Sequence, residues 1–239
     1  MKLDIKKAFY SIFSHSKWLQ NLIIGCLLFG ICQILVEAPV VMPYKIFTSA
    51  IGSLIVFVLF GYLVQTAHNE INNTNNLSLN WSSCLKYLKF GLYVNLPAYL
   101  YTFLLYLLLF PLNVYFIRLL VRHSFSYEKA IVIPLSILMV ISYSIFFPYV
   151  SAVLAQDFRL KDCFKISNLL LSIKKALPEL IKSIGISFFL FVPYVILGII
   201  NMFYLNEKLK ITFIVFPIYI IIYNLYAQTY KIALNRARS

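Results

Sequence analysis

Residues 46–69 read IFTSAIGSLIVFVLFGYLVQTAHN, twenty-four residues without one Asp, Glu, Lys or Arg. About 20 mostly apolar residues in a helix are enough to cross a ~30 Å hydrocarbon core, so this stretch reads as a membrane span. The run is continuous rather than alternating, which excludes the ten-residue, two-faced strands of an outer-membrane barrel. Five more windows repeat the pattern, at 18–36, 90–117, 130–156, 183–206 and 211–230, and none of them holds a charged side chain. Of the 239 residues, 62% are hydrophobic and 12% charged, against about 25% charged in a soluble domain. A soluble enzyme, a disordered chain and a disulfide-stapled secreted module are excluded. The expected fold is all-α: a polytopic membrane protein with six transmembrane helices and amphipathic helices on its cytoplasmic face. It forms a single domain over 1–239, with spans near 18–36, 46–68, 97–117, 130–154, 183–204 and 211–230.

The third window includes more than a span. Between Trp81 and Leu96, Leu85, Leu88, Leu92 and Leu96 recur at three- and four-residue steps while Lys86 and Lys89 lie off the stripe. This spacing predicts an interfacial helix, with Pro97 opening the third span where no amide donor is needed. Pro111, Pro134, Pro148, Pro193 and Pro217 fall inside windows and read as kinks, which membrane helices tolerate.

Basic residues set the orientation. Fifteen of the 21 Lys and Arg lie on one side of the predicted topology: the N-terminal segment, the second and fourth connections and the C-terminal tail. Positive residues accumulate on the cytoplasmic side, so both termini are expected there, in a prokaryotic cytoplasmic membrane with no cleavable signal peptide. The net charge of +13 then reflects this asymmetry and attraction to anionic headgroups, and no nucleic-acid partner is implied. Cys26, Cys32, Cys84 and Cys163 fit no zinc spacing, and a disulfide is not expected.

Three segments ahead of span pairs have helical amphipathicity. In the first, Ile5, Ala8, Phe9, Ile12 and Phe13 oppose Asp4, Lys7, Ser11 and Ser14. The second is the 81–96 helix. In the third, Cys163, Ile166, Leu170, Ile173 and Leu177 oppose Lys161, Lys165, Asn168, Ser172 and Lys175, and Pro178 and Glu179 read as the first turn of the fifth span. Basic polar faces opposite apolar ones suit the headgroup zone. The chain thus parses as three units of amphipathic helix plus hairpin, read either as a pseudo-repeat or as three independent anchors. The polar stretch 69–80 reads as a flexible linker.

Gly25 follows Trp18 by seven residues, Trp81 follows Gly61-Tyr62 by twenty from Gly61, and Gly91 follows Trp81 by ten. With the Asp162-Cys163-Phe164-Lys165-Ile166 segment, these spacings resemble an uncharacterised group of prokaryotic multi-pass membrane proteins catalogued as domain of unknown function 4013. The resemblance covers most of the chain and implies six spans without an activity or ligand. This chain departs from that pattern before Trp81, where Ser78-Leu79-Asn80 stands in place of Leu-Pro-acidic.

Ion-coupled transporters carry ionisable groups inside their spans, and the absence of Asp, Glu, Lys and Arg from all six windows argues against ion coupling. Glu37 reads as a boundary acid paired with Lys45 or water. No metalloprotease, intramembrane aspartyl or nucleophile-elbow motif is present, so no catalytic residue, cofactor or metal is expected. A membrane cysteine peptidase built on His68 and Cys84 is the remote enzymatic alternative. Possible ligand or partner contacts are Tyr219, Tyr223, Tyr226 and Asn224, on or near one face of the last span, and Arg118 with Arg122 at the outer end of the third. The tyrosine stripe lines a cleft or packs against neighbours, and packing is the preferred reading. The arginines hold an anion or snorkel to the interface. Trp18, Trp81, Lys161, Lys165 and Lys175 read as interface anchors. The expected function is a non-enzymatic accessory or partner subunit, with a membrane protein or a second copy as partner. The alternative is a small transporter or translocation component for a lipid, peptide or other amphipathic solute.

Overall fold

The 46–69 run becomes a helix longer than the window itself. In the computed structural model, which describes residues 2–13, 18–37, 42, 44–74, 83–111, 114–115, 147–204 and 215–238, the described elements are helical. They are α1 (Ile5–Tyr10), α2 (Trp18–Glu37), α3 (Tyr44–Asn72), α4 (Cys84–Leu108), α5 (Phe147–Asp157), α6 (Leu160–Cys163), α7 (Ile166–Lys175), α8 (Leu177–Tyr204) and α9 (Val215–Arg238). Helix α3 is central and packs against α2, α4, α5 and α9.

The surface of this bundle is apolar. Helix α2 turns Leu19, Ile23, Leu27, Ile31 and Ile34 outward while burying Asn21 and Cys32, a four- and three-residue period that marks one outer face. Helix α4 exposes Leu85, Leu92, Leu96, Phe103 and Leu107. Apolar faces of this extent need a hydrocarbon solvent, and the protein is membrane-embedded. By length and composition Trp18–Leu35, Tyr44–Asn72 and Cys84–Leu108 can each cross a membrane, and the bent pair Leu169–Lys175 with Leu177–Pro193 makes a fourth candidate. Among the described residues that makes four at most, against six expected for the whole chain. The 130–154 window is described only from Phe147 onward, and α9 is interrupted by Asn224, Gln228, Thr229 and Lys231.

Helices α3 and α4 meet backbone to backbone. A Cβ at Gly61 would be driven into the carbonyl oxygen of Tyr87, and one at Gly91 into the carbonyl oxygen of Phe57. The two contacts are reciprocal, since Phe57 and Gly61, like Tyr87 and Gly91, are one helical turn apart. Small residues at such a crossing let membrane helices approach closely. Gly25 of α2 plays a lesser part, because a Cβ there would meet the ring of Phe216 on α9.

Several boundaries differ from the sequence reading. Pro97 lies inside α4 rather than opening a span; the segment from Cys84 onward and the start of the third span form one helix. The leucine stripe of that segment faces outward, Leu85 being 82% exposed, while Tyr87, Phe90, Gly91, Val94 and Ala98 pack inward. The third amphipathic segment is not one helix but α6, α7 and the first turn of α8, and Leu169, off the expected stripe, is buried while Leu170 is exposed. The last helix continues past residue 230 to Arg238. The first part of the 69–80 stretch is an ordered helix end: Thr74 N–H returns to the Asn69 carbonyl at 3.0 Å and Asn73 adopts φ 55°, the left-handed C-terminal cap of a Schellman motif. Residues 75–80, Trp81, Arg118 and Arg122 lie outside the described residues, as does the side chain of Glu37.

Candidate functional site

Amphipathic α1 does not lie free on a surface. Asp4 caps it by accepting from Lys7 N–H at 2.9 Å, the usual task of a short acidic side chain at that position. Ala8 is fully buried against Ile221 and Leu225 of α9. Gln228 of α9 then holds the main chain of Asp4 at both ends of its amide group, accepting from Asp4 N–H at 2.8 Å and donating to Asp4 C=O at 3.0 Å. Ile5, Phe9 and Phe13, expected along one stripe, remain exposed.

The docked segment roofs a cavity of about 430 Å³ with both polar and apolar walls. Lys7, Tyr10 and Ser11 come from the N-terminal segment, Trp18 and Asn21 from the first turn of α2, Thr66, Asn69 and Glu70 from the end of α3, and Asn224 from α9. Glu70 is the charged centre. Its side chain is 8% exposed and pairs with Lys7 Nζ at 2.6 Å, while Lys7 itself is 49% exposed. Lys231 closes the corner from α9, donating to the Glu70 carbonyl at 2.9 Å and to Asn73 Oδ1 at 2.5 Å. Burial lowers the Lys231 ammonium below the usual lysine range, with the Glu70 charge opposing and the Lys7 charge adding. Asn224 Oδ1 accepts from Gln228 at 2.9 Å, and Thr66 donates to the Leu63 carbonyl. Asn21 is 4% exposed, and its amide nitrogen has no hydrogen-bond partner among the described residues. An unmet buried donor costs about 1–3 kcal/mol, so a group that supplies an acceptor there is favoured.

Of the residues expected to make contacts, Asn224 reaches this cavity and the tyrosines do not line it. Tyr223 and Tyr226 are fully buried. Tyr219 sits among Phe29, Phe60 and Phe191, and Tyr226 beside Ser187 and Tyr149. Their stripe packs against neighbouring helices, and the polar side chains between its members are the ones left for the cavity. Trp18 packs edge-on against Phe13 at 4.9 Å and also lines the cavity. Lys161 and Lys165 are exposed, Lys165 pairing with Asp162 at 2.8 Å; that hydrogen bond, outweighing a small burial effect, holds the Asp162 carboxyl below the usual range. Lys175 is part of a clasp between α7 and α9, donating to the Arg236 carbonyl at 3.3 Å, and borders a second hollow of about 330 Å³. His68 places a ring nitrogen on the Ala155 carbonyl and its ring 4.4 Å from Phe158. Phe158 has φ 54° and stacks in turn on Phe90 at 4.2 Å.

Sequence reasoning did not single out Glu70, Asn21 or Lys231, and it placed Gln228 only beside the tyrosine stripe. The signal was present: Asn21 is a polar residue in an apolar window, and Glu70 follows the 46–69 window directly. Among the described residues no cluster of His, Cys, Asp and Glu is placed to hold a metal. Compared with protein-family models, with curated proteins and with solved structures, the chain matches none.

Proposed function

We propose that this is a non-enzymatic six-span protein of a prokaryotic cytoplasmic membrane, with both termini in the cytoplasm, that takes up a small polar or amphipathic solute in the α1–α2–α3–α9 cavity. Of the two functions expected from sequence, the cavity favours the translocation component over the accessory subunit, and the buried, unpartnered amide of Asn21 is the observation that carries this choice. The reading is one without ion coupling, because the charges at the site, Lys7, Glu70 and Lys231, all lie outside the six uncharged windows. The engagement of His68 by Ala155 and Phe158 supports a structural role for it rather than a peptidase centre with Cys84.

The six-span count draws support from where helix ends meet. Lys7 and Lys231 both reach Glu70, His68 reaches Ala155, and Arg236 reaches Glu179. The N-terminal segment, the end of α3, the end of α5, the start of α8 and the end of α9 thus share one end of the bundle, as an even number of crossings requires. The resemblance to domain of unknown function 4013 rests partly on Gly25, Gly61 and Gly91, which stand at helix contacts.

Native mass spectrometry of the protein purified in mild detergent tests the choice. The expected outcome is a monomer carrying a small molecule or lipid that Asn21→Leu strips off without lowering the melting temperature. A stoichiometric protein partner, with no bound small molecule, would return the accessory-subunit reading to first place.

A further inference from the structure

The charges around the cavity do not balance in a way that suits a simple cation or a simple anion. One ammonium, Lys7, pairs with the one carboxylate of the lining, Glu70, and a second, Lys231, lies behind it on the Glu70 backbone carbonyl; the further acid nearby, Asp4, caps α1. A lone anion entering the corner meets a nearly buried carboxylate, and a lone cation meets Lys7 with the Lys231 charge behind it. Like charges brought this close in a partly dehydrated site repel strongly.

A group bearing both signs avoids each penalty. Glu70 is held by one ammonium, and that ammonium belongs to a half-exposed lysine on the six-residue helix α1. Lys231, by contrast, rests on two neutral oxygens, a backbone carbonyl and the Asn73 amide, so its charge has no carboxylate in direct contact. We propose that the cavity binds a zwitterion carrying a primary ammonium and an anionic group, such as a phosphoethanolamine headgroup, with the ammonium taking the Lys7 place on Glu70. The freed Lys7 then faces the anionic group, the charge of Lys231 adds to the field from behind Asn73, and an ester or phosphate oxygen offers the acceptor that Asn21 lacks. Trp18, Ile12, Leu22 and Ile220 line the same cavity and supply an apolar side toward which a lipid tail can leave. The volume of about 430 Å³ admits such a headgroup with water to spare, since a water takes about 30 Å³. This inference rests on the cavity being the protein's binding site, as proposed above.

The test titrates full-length protein in detergent with phosphatidylethanolamine, phosphatidylcholine, phosphatidylglycerol, diacylglycerol and free phosphoethanolamine, and reads saturable binding by native mass spectrometry and thermal shift. Phosphatidylethanolamine is expected to bind at one site, at least tenfold tighter than phosphatidylcholine, whose quaternary nitrogen has no N–H to give Glu70. That comparison uses wild-type protein alone. Glu70→Gln and Asn21→Leu are each expected to weaken binding about tenfold, whereas Lys161→Ala leaves it unchanged. Free phosphoethanolamine binding as well as the lipid would make the ligand a soluble zwitterion; binding of the lipid alone would make it a membrane component, and either result supports the proposal. Equal binding of phosphatidylcholine, or Asn21-dependent binding of phosphatidylglycerol or diacylglycerol in preference, would overturn the zwitterion and leave the cavity as a binding site. Asn21-independent binding of every probe, or no binding at all, would overturn both.

Discussion

A methyl group is the smallest side chain that can replace Gly61, and the crossing with α4 has no room for it because the opposing atom is a backbone oxygen. A side chain can rotate away from a new neighbour, but a carbonyl in a continuous helix moves only if the helix moves. Gly61→Ala or Gly91→Ala is therefore expected to lower stability by about 1–3 kcal/mol or more, seen as a fall in melting temperature in detergent. Gly30→Ala, with open space around it, should leave the melting temperature where it was; equal effects at all three positions would refute the crossing. The spacing of Gly61 and Gly91 could be read from the sequence, but not its cause, because a close approach involves two helices and periodicity describes one. Asn21 and Glu70 escaped for a related reason. Counting charges inside a window passes over an uncharged Asn, and over an acid that sits one residue beyond the edge.

At the level of elements, the informative feature is the corner between α7 and α8, which turn through 89° at Ala176. Arg236 of α9 grips both sides of it, donating to Glu179 at 3.0 and 2.6 Å and to the Lys175 carbonyl at 2.8 Å. A forked guanidinium on a carboxylate is among the stronger charge-assisted contacts. The Arg236 hydrogen bonds, against a smaller burial effect, hold the Glu179 carboxyl below the ordinary range, and Glu179 stands ahead of the 183–204 span. A carboxyl with a depressed folded value stabilises the clasp above its unfolded pKa of about 4.3 and loses that stabilisation as pH falls through the folded value. Amide protection over 231–238, taken relative to the intrinsic exchange rate at each pH, should accordingly be high at pH 7 and fall below pH 4, whereas Glu179→Gln should be poorly protected at both. An unchanged profile in the wild-type protein would sink the idea. The sequence showed the amphipathic segment but not its break, since the corner is fixed partly by a residue sixty positions away. Pro97 is the converse case: a proline that local rules place at a helix start sits within α4, where packing on α3 keeps the helix whole.

For the molecule as a whole, length and charge placement carried the class. Its apolar exterior and helical content could be read directly, and the charge count led to the expectation of a surplus of basic residues at the end that holds both termini. The assembly of that end could not, because Asp4 meets Gln228 across 224 residues, Lys231 meets Glu70 across 161 and Lys7 meets Glu70 across 63. If that end is cytoplasmic, cysteines introduced singly at Lys6, Lys161 and Arg238, all exposed, should react with an impermeant maleimide only after the cells are permeabilised. Labelling of any one of them in intact cells would break the shared-end topology. The attachment of the N-terminal segment has a consequence of its own. Gln228 reads the main chain of residue 4 and ignores its side chain, so it would accept almost any residue there. Three positions on, Lys7 must meet Glu70. The segment is held by phase more than by composition: substitutions ahead of Lys7, the capping Asp4 apart, should be absorbed, while inserting or deleting one residue between the two contacts would keep the grip on the backbone, carry the ammonium around the helix, and unroof the cavity.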